Sequence, residues 1–142
     1  MKGMKTIHVV AAVIRTGNEV FAVQRGYGEY KDMWEFPGGK IENDETPQEA
    51  LVREIREEHN TLIRVGERIR LVEYDYRDFH LSMDCFWAEV QSGNLALLEA
   101  EDARWLDADH LETVNWLPAD RLILETIAQE LRKQDPPFRN AL

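Results

Sequence analysis

Gly38-Gly39-Lys40-Ile41-Glu42-Asn43-Asp44-Glu45-Thr46-Pro47-Gln48-Glu49-Ala50-Leu51-Val52-Arg53-Glu54-Ile55-Arg56-Glu57-Glu58 is the stretch on which the rest of the chain turns. It joins a glycine loop, a helix start and an acid-faced helix. Thr46 suits the N-cap, Pro47 the first helical position, and Glu49 completes a capping box with Thr46. The pattern predicts a helix from Pro47 to about His59. Asn60 closes it, being second only to glycine in taking the left-handed conformation that ends helices. Leu51 and Ile55 form an apolar stripe on this helix. Glu54, Glu57 and Glu58, spaced i, i+3, i+4, put three carboxylates on another stripe. Like charges at that spacing oppose a helix by roughly 0.2–0.5 kcal/mol per pair. Such a face either meets open water or holds a cation, and carboxylate oxygens are the ligands that Mg²⁺ and Mn²⁺ prefer.

Upstream, residues 7–14 are a β-branched apolar run that reads as a mostly buried strand. Thr16-Gly17-Asn18 is a turn signal, and residues 19–24 read as the partner strand. Residues 26–32 form a loop, and Trp34-Glu35-Phe36 is a short extended segment stopped by Pro37. Downstream, residues 69–76 and 81–90 read as strands joined by a hairpin-like break at Arg77-Asp78-Phe79-His80. Ser92-Gly93-Asn94 is a turn, Glu99-Ala100-Glu101-Asp102 an acidic loop, and residues 103–106 a short strand around Trp105. Leu122, Ile123, Ile127 and Leu131 predict a last helix from Pro118 to about Lys133. Asp135-Pro136-Pro137 stops it. Residues 1–134 therefore read as one domain and residues 135–142 as a loosely held tail. Strands before and after one central helix, with a late second helix, point to a mixed α/β sandwich and away from a Rossmann sheet.

The chain of 142 residues is long enough to bury a core without staples. A net charge of −10 argues against a nucleic-acid polymer as partner. It leaves room for a small phosphorylated ligand, because a bound metal can invert the local charge. The single cysteine, Cys85, lies in an apolar alternating run and reads as a core thiol. No apolar run is long enough to span a membrane. The apolar run after Lys2 and Lys5 is interrupted by His8 and leads into a turn, which disfavours a signal peptide and leaves the cytoplasm as the expected location. His8, His59, His80 and His110 show no ligand spacing, and the four tryptophans read as core.

Gly39, Glu45 and the run Arg53-Glu54-Ile55-Arg56-Glu57-Glu58 stand at offsets that resemble the box of the Nudix hydrolases. Trp34-Glu35-Phe36-Pro37-Gly38-Gly39-Lys40-Ile41-Glu42 resembles the MutT-like branch, which hydrolyses nucleoside triphosphates. Two positions depart from the pattern: Asn60 stands where the family carries glycine, and Thr61 where it carries an aliphatic residue. The resemblance implies an α+β fold, a Nudix-type α/β/α sandwich with a mixed central sheet. It implies Mg²⁺-dependent (or Mn²⁺-dependent) hydrolysis of a small-molecule nucleotide substrate to the monophosphate and pyrophosphate. Carried over, Glu54, Glu57 and Glu58 are metal ligands, joined by the Gly38 carbonyl and by Glu99 from the acidic loop, which binds metal or accepts the proton. Arg53 orients a carboxylate, and Gly39 and Glu45 support the loop. Arg25 and Lys40 are candidates for phosphate contact. Phe79 is a candidate for stacking on the base, and Asp120 for reading it. An ionised Asp120 accepts from an exocyclic amine such as cytosine N4, which favours a cytosine-type or modified pyrimidine, with 8-oxo-dGTP beside it. The rival readings are a non-catalytic nucleotide-binding or sensing module, and a hydrolase of another nucleoside diphosphate derivative.

Overall fold

The computed structural model describes residues 4–133. The predicted stop at Asp135-Pro136-Pro137 and the tail lie outside them. In chain order the elements are β1 (Lys5–Thr16), β2 (Glu19–Gln24), β3 (Trp34–Glu35), β4 (Gly38–Lys40), α1 (Pro47–His59), β5 (Leu62–Asp75), β6 (Phe79–Ser92) and β7 (Asp102–Asp107). A 3₁₀ turn (Ala108–Thr113), α2 (Pro118–Arg121) and α3 (Leu124–Leu131) complete them.

β1 is apolar on both faces because both faces are covered. Val10, Ala12 and Ile14 pack with Phe86 and with Ala50, Leu51 and Ile55 of α1. Ala11 and Val13 point the other way, into a core shared with Trp116, Ile123, Leu124 and Ile127. The strand's period of two thus sorts alternate residues into the two outer helical layers. The sheet is mixed: β1 runs parallel to β6, while β5 and β6 form an antiparallel hairpin and β4 pairs antiparallel to β1. The predicted break at residues 77–80 is the tip of that hairpin, with the Tyr76 N–H donating to the Phe79 carbonyl at 2.9 Å.

Several readings differ from the structure. Gly38–Lys40, read as a glycine loop, pairs with β1 as strand β4, and Trp105, read as core, is exposed on β7. β5 begins at Leu62, well before residue 69. Arg64, Gly66, Glu67 and Arg68 hide its start, because register shifts against β6 break the alternation between Val65 and Arg70. The last helix is two pieces, α2 and α3, separated at Leu122 and Ile123. Ile123 is fully buried while Leu122 stays exposed, so packing favours the break over one continuous helix.

β1 pairs β2 only at Arg15–Val20 and Thr16–Glu19, and further along its length it pairs with β4. Beyond those two pairs β2 turns to β3 and β7. Residues of β1, β2, β4 and the β5–β6 hairpin line a common cleft. Among the described residues, no helix is long and apolar enough to cross a membrane.

Candidate active site

α1 forms where the sequence places it. The Thr46 hydroxyl accepts from the Glu49 N–H at 3.1 Å, and the Glu49 carboxylate accepts from the Thr46 N–H at 2.9 Å. Asn60 ends the helix at φ 51°, ψ 43°. Full burial of Leu51 and Ile55 is worth roughly 1.5–3 kcal/mol each. That outweighs the small repulsion between helix carboxylates, so the acidic stripe is tolerated.

Arg53 organises that stripe. Its guanidinium donates to both oxygens of Glu45, at 2.6 and 3.0 Å, and to the Lys40 carbonyl at 3.0 Å. One Nη reaches Glu54 at 2.9 Å and Glu57 at 3.2 Å. These carboxylates hold the guanidinium firmly protonated, the Glu45 hydrogen bond being the strongest influence. Gly38 has no room for a side chain, and a side chain at Gly39 would displace Glu54. A Cβ on Gly38 would lie 1.9 Å from the Val10 carbonyl oxygen, and one on Gly39 would lie 2.3 Å from the Glu54 carboxylate. Gly39 is therefore the surface against which Glu54 rests, and Gly38 lets β4 close on β1.

The cleft has a volume of about 550 Å³. Glu54, Glu58 and Glu99 stand at one end, with Glu35 within electrostatic reach of Glu58. Burial pushes the Glu58 carboxyl up to about 8, and the charges of Glu54 and Glu99 add to the effect. Glu54 and Glu58, four residues apart on α1, both line the cleft. Glu57 stands aside from this pair. Its side chain is 60% exposed, and it meets the others through Arg53.

Among the described residues, no three His, Cys, Asp or Glu side chains form a ready-made cage for a cation. The donor set nonetheless suits one. It consists of oxygens alone, and Glu54, Glu58 and Glu99 gather at one end of the cleft. Mg²⁺ is ordinarily held by one or two carboxylates plus waters and substrate phosphates, so a partial set is the expected form of such a site.

The other end is aromatic and apolar, lined by Tyr30, Tyr76, Phe79, Leu81 and Met83. Phe79 stacks on Tyr76 at 5.1 Å, and the Tyr76 hydroxyl accepts from the Ala119 N–H at 3.1 Å. Asp120 lies at the cleft floor, 4% exposed, and accepts from the Phe36 N–H at 2.9 Å. The sequence reading took this carboxyl as ionised. Burial raises the Asp120 carboxyl to about 8, helped by the Glu35 charge, which favours its neutral form. A neutral carboxyl donates as well as accepts.

Arg25 lies between the two ends and pairs with both oxygens of Glu35, at 2.8 and 3.1 Å. Lys40 is exposed at the rim. The cleft thus brings together Arg25, Gly38, Gly39, Lys40, Glu54, Glu58, Phe79, Glu99 and Asp120; Arg53, Glu45 and Glu57 stand behind the acidic end. Sequence reasoning assigned no role to Glu35, Tyr27, Tyr76 or His59, all of which line the cleft or contact its carboxylates. Glu35 carried a signal. In an extended segment it must face away from Trp34 and Phe36, both buried here.

Comparison with known proteins agrees with the geometry. The NUDIX domain profile matches residues 4–136. The chain is 32% identical over 123 residues to the CTP pyrophosphohydrolase of Escherichia coli (strain K12), covering 86% of this chain and 91% of that one. It is 29% identical over 123 residues to the 8-oxo-dGTP diphosphatase of the same organism, covering 85% and 95%. The solution structure of the E. coli ORF135 protein superposes with a TM-score of 0.77 at 30% identity, covering 95% of this chain and 99% of that one.

Proposed function

This chain belongs to the NUDIX family, and we propose that it hydrolyses a nucleoside triphosphate to the monophosphate and pyrophosphate. The observation that carries this reading is the polarity of the cleft. One end gathers Glu54, Glu58 and Glu99, and the other offers an aromatic wall with a buried Asp120. A triphosphate and a base need those two environments side by side.

Glu54, Glu57, Glu58 and Glu99, with the Gly38 carbonyl, are the groups that would hold divalent cations, Mg²⁺ in the first place. When bound, such ions neutralise phosphate charge and acidify a water molecule. Glu99, exposed at the cleft edge, is suited to accept the water's proton. Arg53 keeps Glu54 and Glu57 oriented, Glu45 fixes Arg53, and Gly39 leaves room for Glu54. Arg25 and Lys40 contact the phosphates, and Phe79 stacks on the base.

Asp120 reads the base as a neutral acid. A carboxyl that donates through one oxygen and accepts through the other matches the N3/N4 edge of cytosine. It equally matches the O6/N7–H edge of 8-oxoguanine. The relatives with these two specificities are almost equally distant from this chain, so overall identity supports both bases alike.

The decisive experiment is a panel of normal and oxidised nucleoside triphosphates, dinucleoside polyphosphates and ADP-ribose, with Mg²⁺ and with products identified. Release of monophosphate and pyrophosphate from a cytosine or 8-oxoguanine nucleotide is expected. No release from any member would sink the proposal.

A further inference from the structure

Asn60 and Thr61, the two departures from the family pattern, follow His59 at the end of α1; the Asn60 N–H closes the helix on the Arg56 carbonyl at 3.0 Å, while Thr61 and His59 reach one distant segment. Thr61 is 2% exposed; its hydroxyl donates to the His59 carbonyl at 2.9 Å and accepts from the Leu95 N–H at 2.8 Å. His59 is also 2% exposed, and its Nδ1–H donates to the Ala96 carbonyl at 2.8 Å. The Ala96 N–H returns to the His59 carbonyl at 2.9 Å, and the Leu98 N–H reaches the Glu58 carbonyl at 3.4 Å. The helix end therefore grips residues 95, 96 and 98, and the next residue is Glu99.

The grip shapes the segment. Leu95 is held at φ 54°, a left-handed conformation that a leucine keeps only where its surroundings impose it. Gly93 turns at φ 108°, and a Cβ there would lie 2.8 Å from both Cα and Oγ1 of Thr61. On the far side the Glu101 N–H donates to the Gln24 carbonyl at 3.0 Å, and Lys31 pairs with the Glu101 carboxylate at 3.1 Å. Glu99 is thus fixed from both directions beside the end of the helix that carries Glu58. An aliphatic residue at position 61 would leave the Leu95 N–H without its acceptor.

We propose that His59 and Thr61 are positioning residues that hold Glu99 against the Glu54–Glu58 end of the cleft. This rests on the reading above, in which Glu99 belongs to the cation-holding and proton-accepting set. The hydroxyl of Thr61 does for this chain what an apolar anchor cannot: it ties the Glu99 segment by its backbone.

The test uses Thr61→Val, which keeps the shape and removes the hydroxyl, Thr61→Ser, which restores it, and His59→Phe. Each is made in the full chain, with and without Glu99→Gln. Mn²⁺ alone is titrated onto each protein, amide exchange is followed at residues 95–98, and kcat and KM are measured on the best substrate of the panel. Thr61→Val is expected to speed exchange at Leu95 about fivefold or more, the worth of one hydrogen bond. It should weaken Mn²⁺ binding and lower kcat by about tenfold with KM little changed, as loss of a supporting contact does. Thr61→Ser should recover both. In the Glu99→Gln background, Thr61→Val should cost less than about twofold further, because the two act as one unit. Losses that multiply, or unchanged Mn²⁺ affinity in Thr61→Val, overturn the inference. Turnover with multiplying losses sinks it while leaving the proposed function intact. Non-additive Mn²⁺ losses without turnover on any substrate uphold it and sink the function. If His59→Phe does not fold, the two Thr61 variants decide.

Discussion

Glu54 and Glu58 lie four residues apart on a single helix, whereas Asp120 and Phe36, at the other end of the same cleft, meet across 84 residues of chain. Both ends bury a carboxyl raised to about 8, and burial is the leading cause in each. The added influences differ. Glu58 faces Glu54 and Glu99, so its surroundings favour a cation. Asp120 faces a backbone N–H and the distant pair Glu35 and Arg25, so its surroundings favour a neutral hydrogen-bonding group. Under the proposed function the same chemical group would serve as a metal ligand at one end and a base reader at the other, through what is packed against it.

That contrast can be broken most directly at the acidic end. Glu58→Gln and Glu57→Gln are each expected to lower kcat on the order of 10³-fold, with the melting temperature preserved. Near-normal turnover in both would remove the metal role from this helix. At the other end Asp120→Asn keeps an acceptor for the Phe36 N–H but fixes the donor pattern. It should shift the ratio of kcat/KM between cytosine and 8-oxoguanine nucleotides by about tenfold to a hundredfold, leaving the Mg²⁺ dependence unchanged. An altered Mg²⁺ requirement would show that the two ends are not separate. Phe79→Ala should raise KM about tenfold for every base, since stacking is insensitive to base identity; an effect confined to kcat would place Phe79 elsewhere in the mechanism.

A separate effect is on stability. Asp120 holds a proton in the folded chain up to about 8 that the unfolded chain releases near the ordinary aspartate value of about 4. Its contribution is therefore full below about pH 4, erodes as the pH rises, and is gone above the folded value. The slope is of order 1 kcal/mol per pH unit at most. Melting curves from pH 5 to 9 should show the slope in the wild type and its loss in Asp120→Asn. Glu58 contributes in the same direction. Added Mg²⁺ should suppress its part and leave that of Asp120, which sharpens the comparison between the ends.

Much of the acidic end was legible from residues 38–58 because its contacts are local. Capping, glycine spacing and helical periodicity act over a few residues, and α1 follows them from Pro47 to His59. Glu99 could be named from the sequence, but the grip that holds it could not. Thr61 stood in the sequence only as a departure from an aliphatic position, and its hydroxyl is the acceptor for the Leu95 N–H. The start of β5 was hidden because a strand stabilised by its partner needs no alternation of its own where the register shifts. The last helix was read as continuous because periodicity does not register a break set by the burial of Ile123.

By itself the sequence determined the helix, its cap, the two glycines and the row of carboxylates, since each follows from short-range sterics and hydrogen bonding. Only the tertiary structure decided that the Asp120 carboxyl is buried, that Glu57 stands apart from Glu54 and Glu58, and that His59 and Thr61 reach across to the Glu99 segment. These depend on desolvation and on partners distant in the chain, and neither is present until the sheet has closed over its two cores.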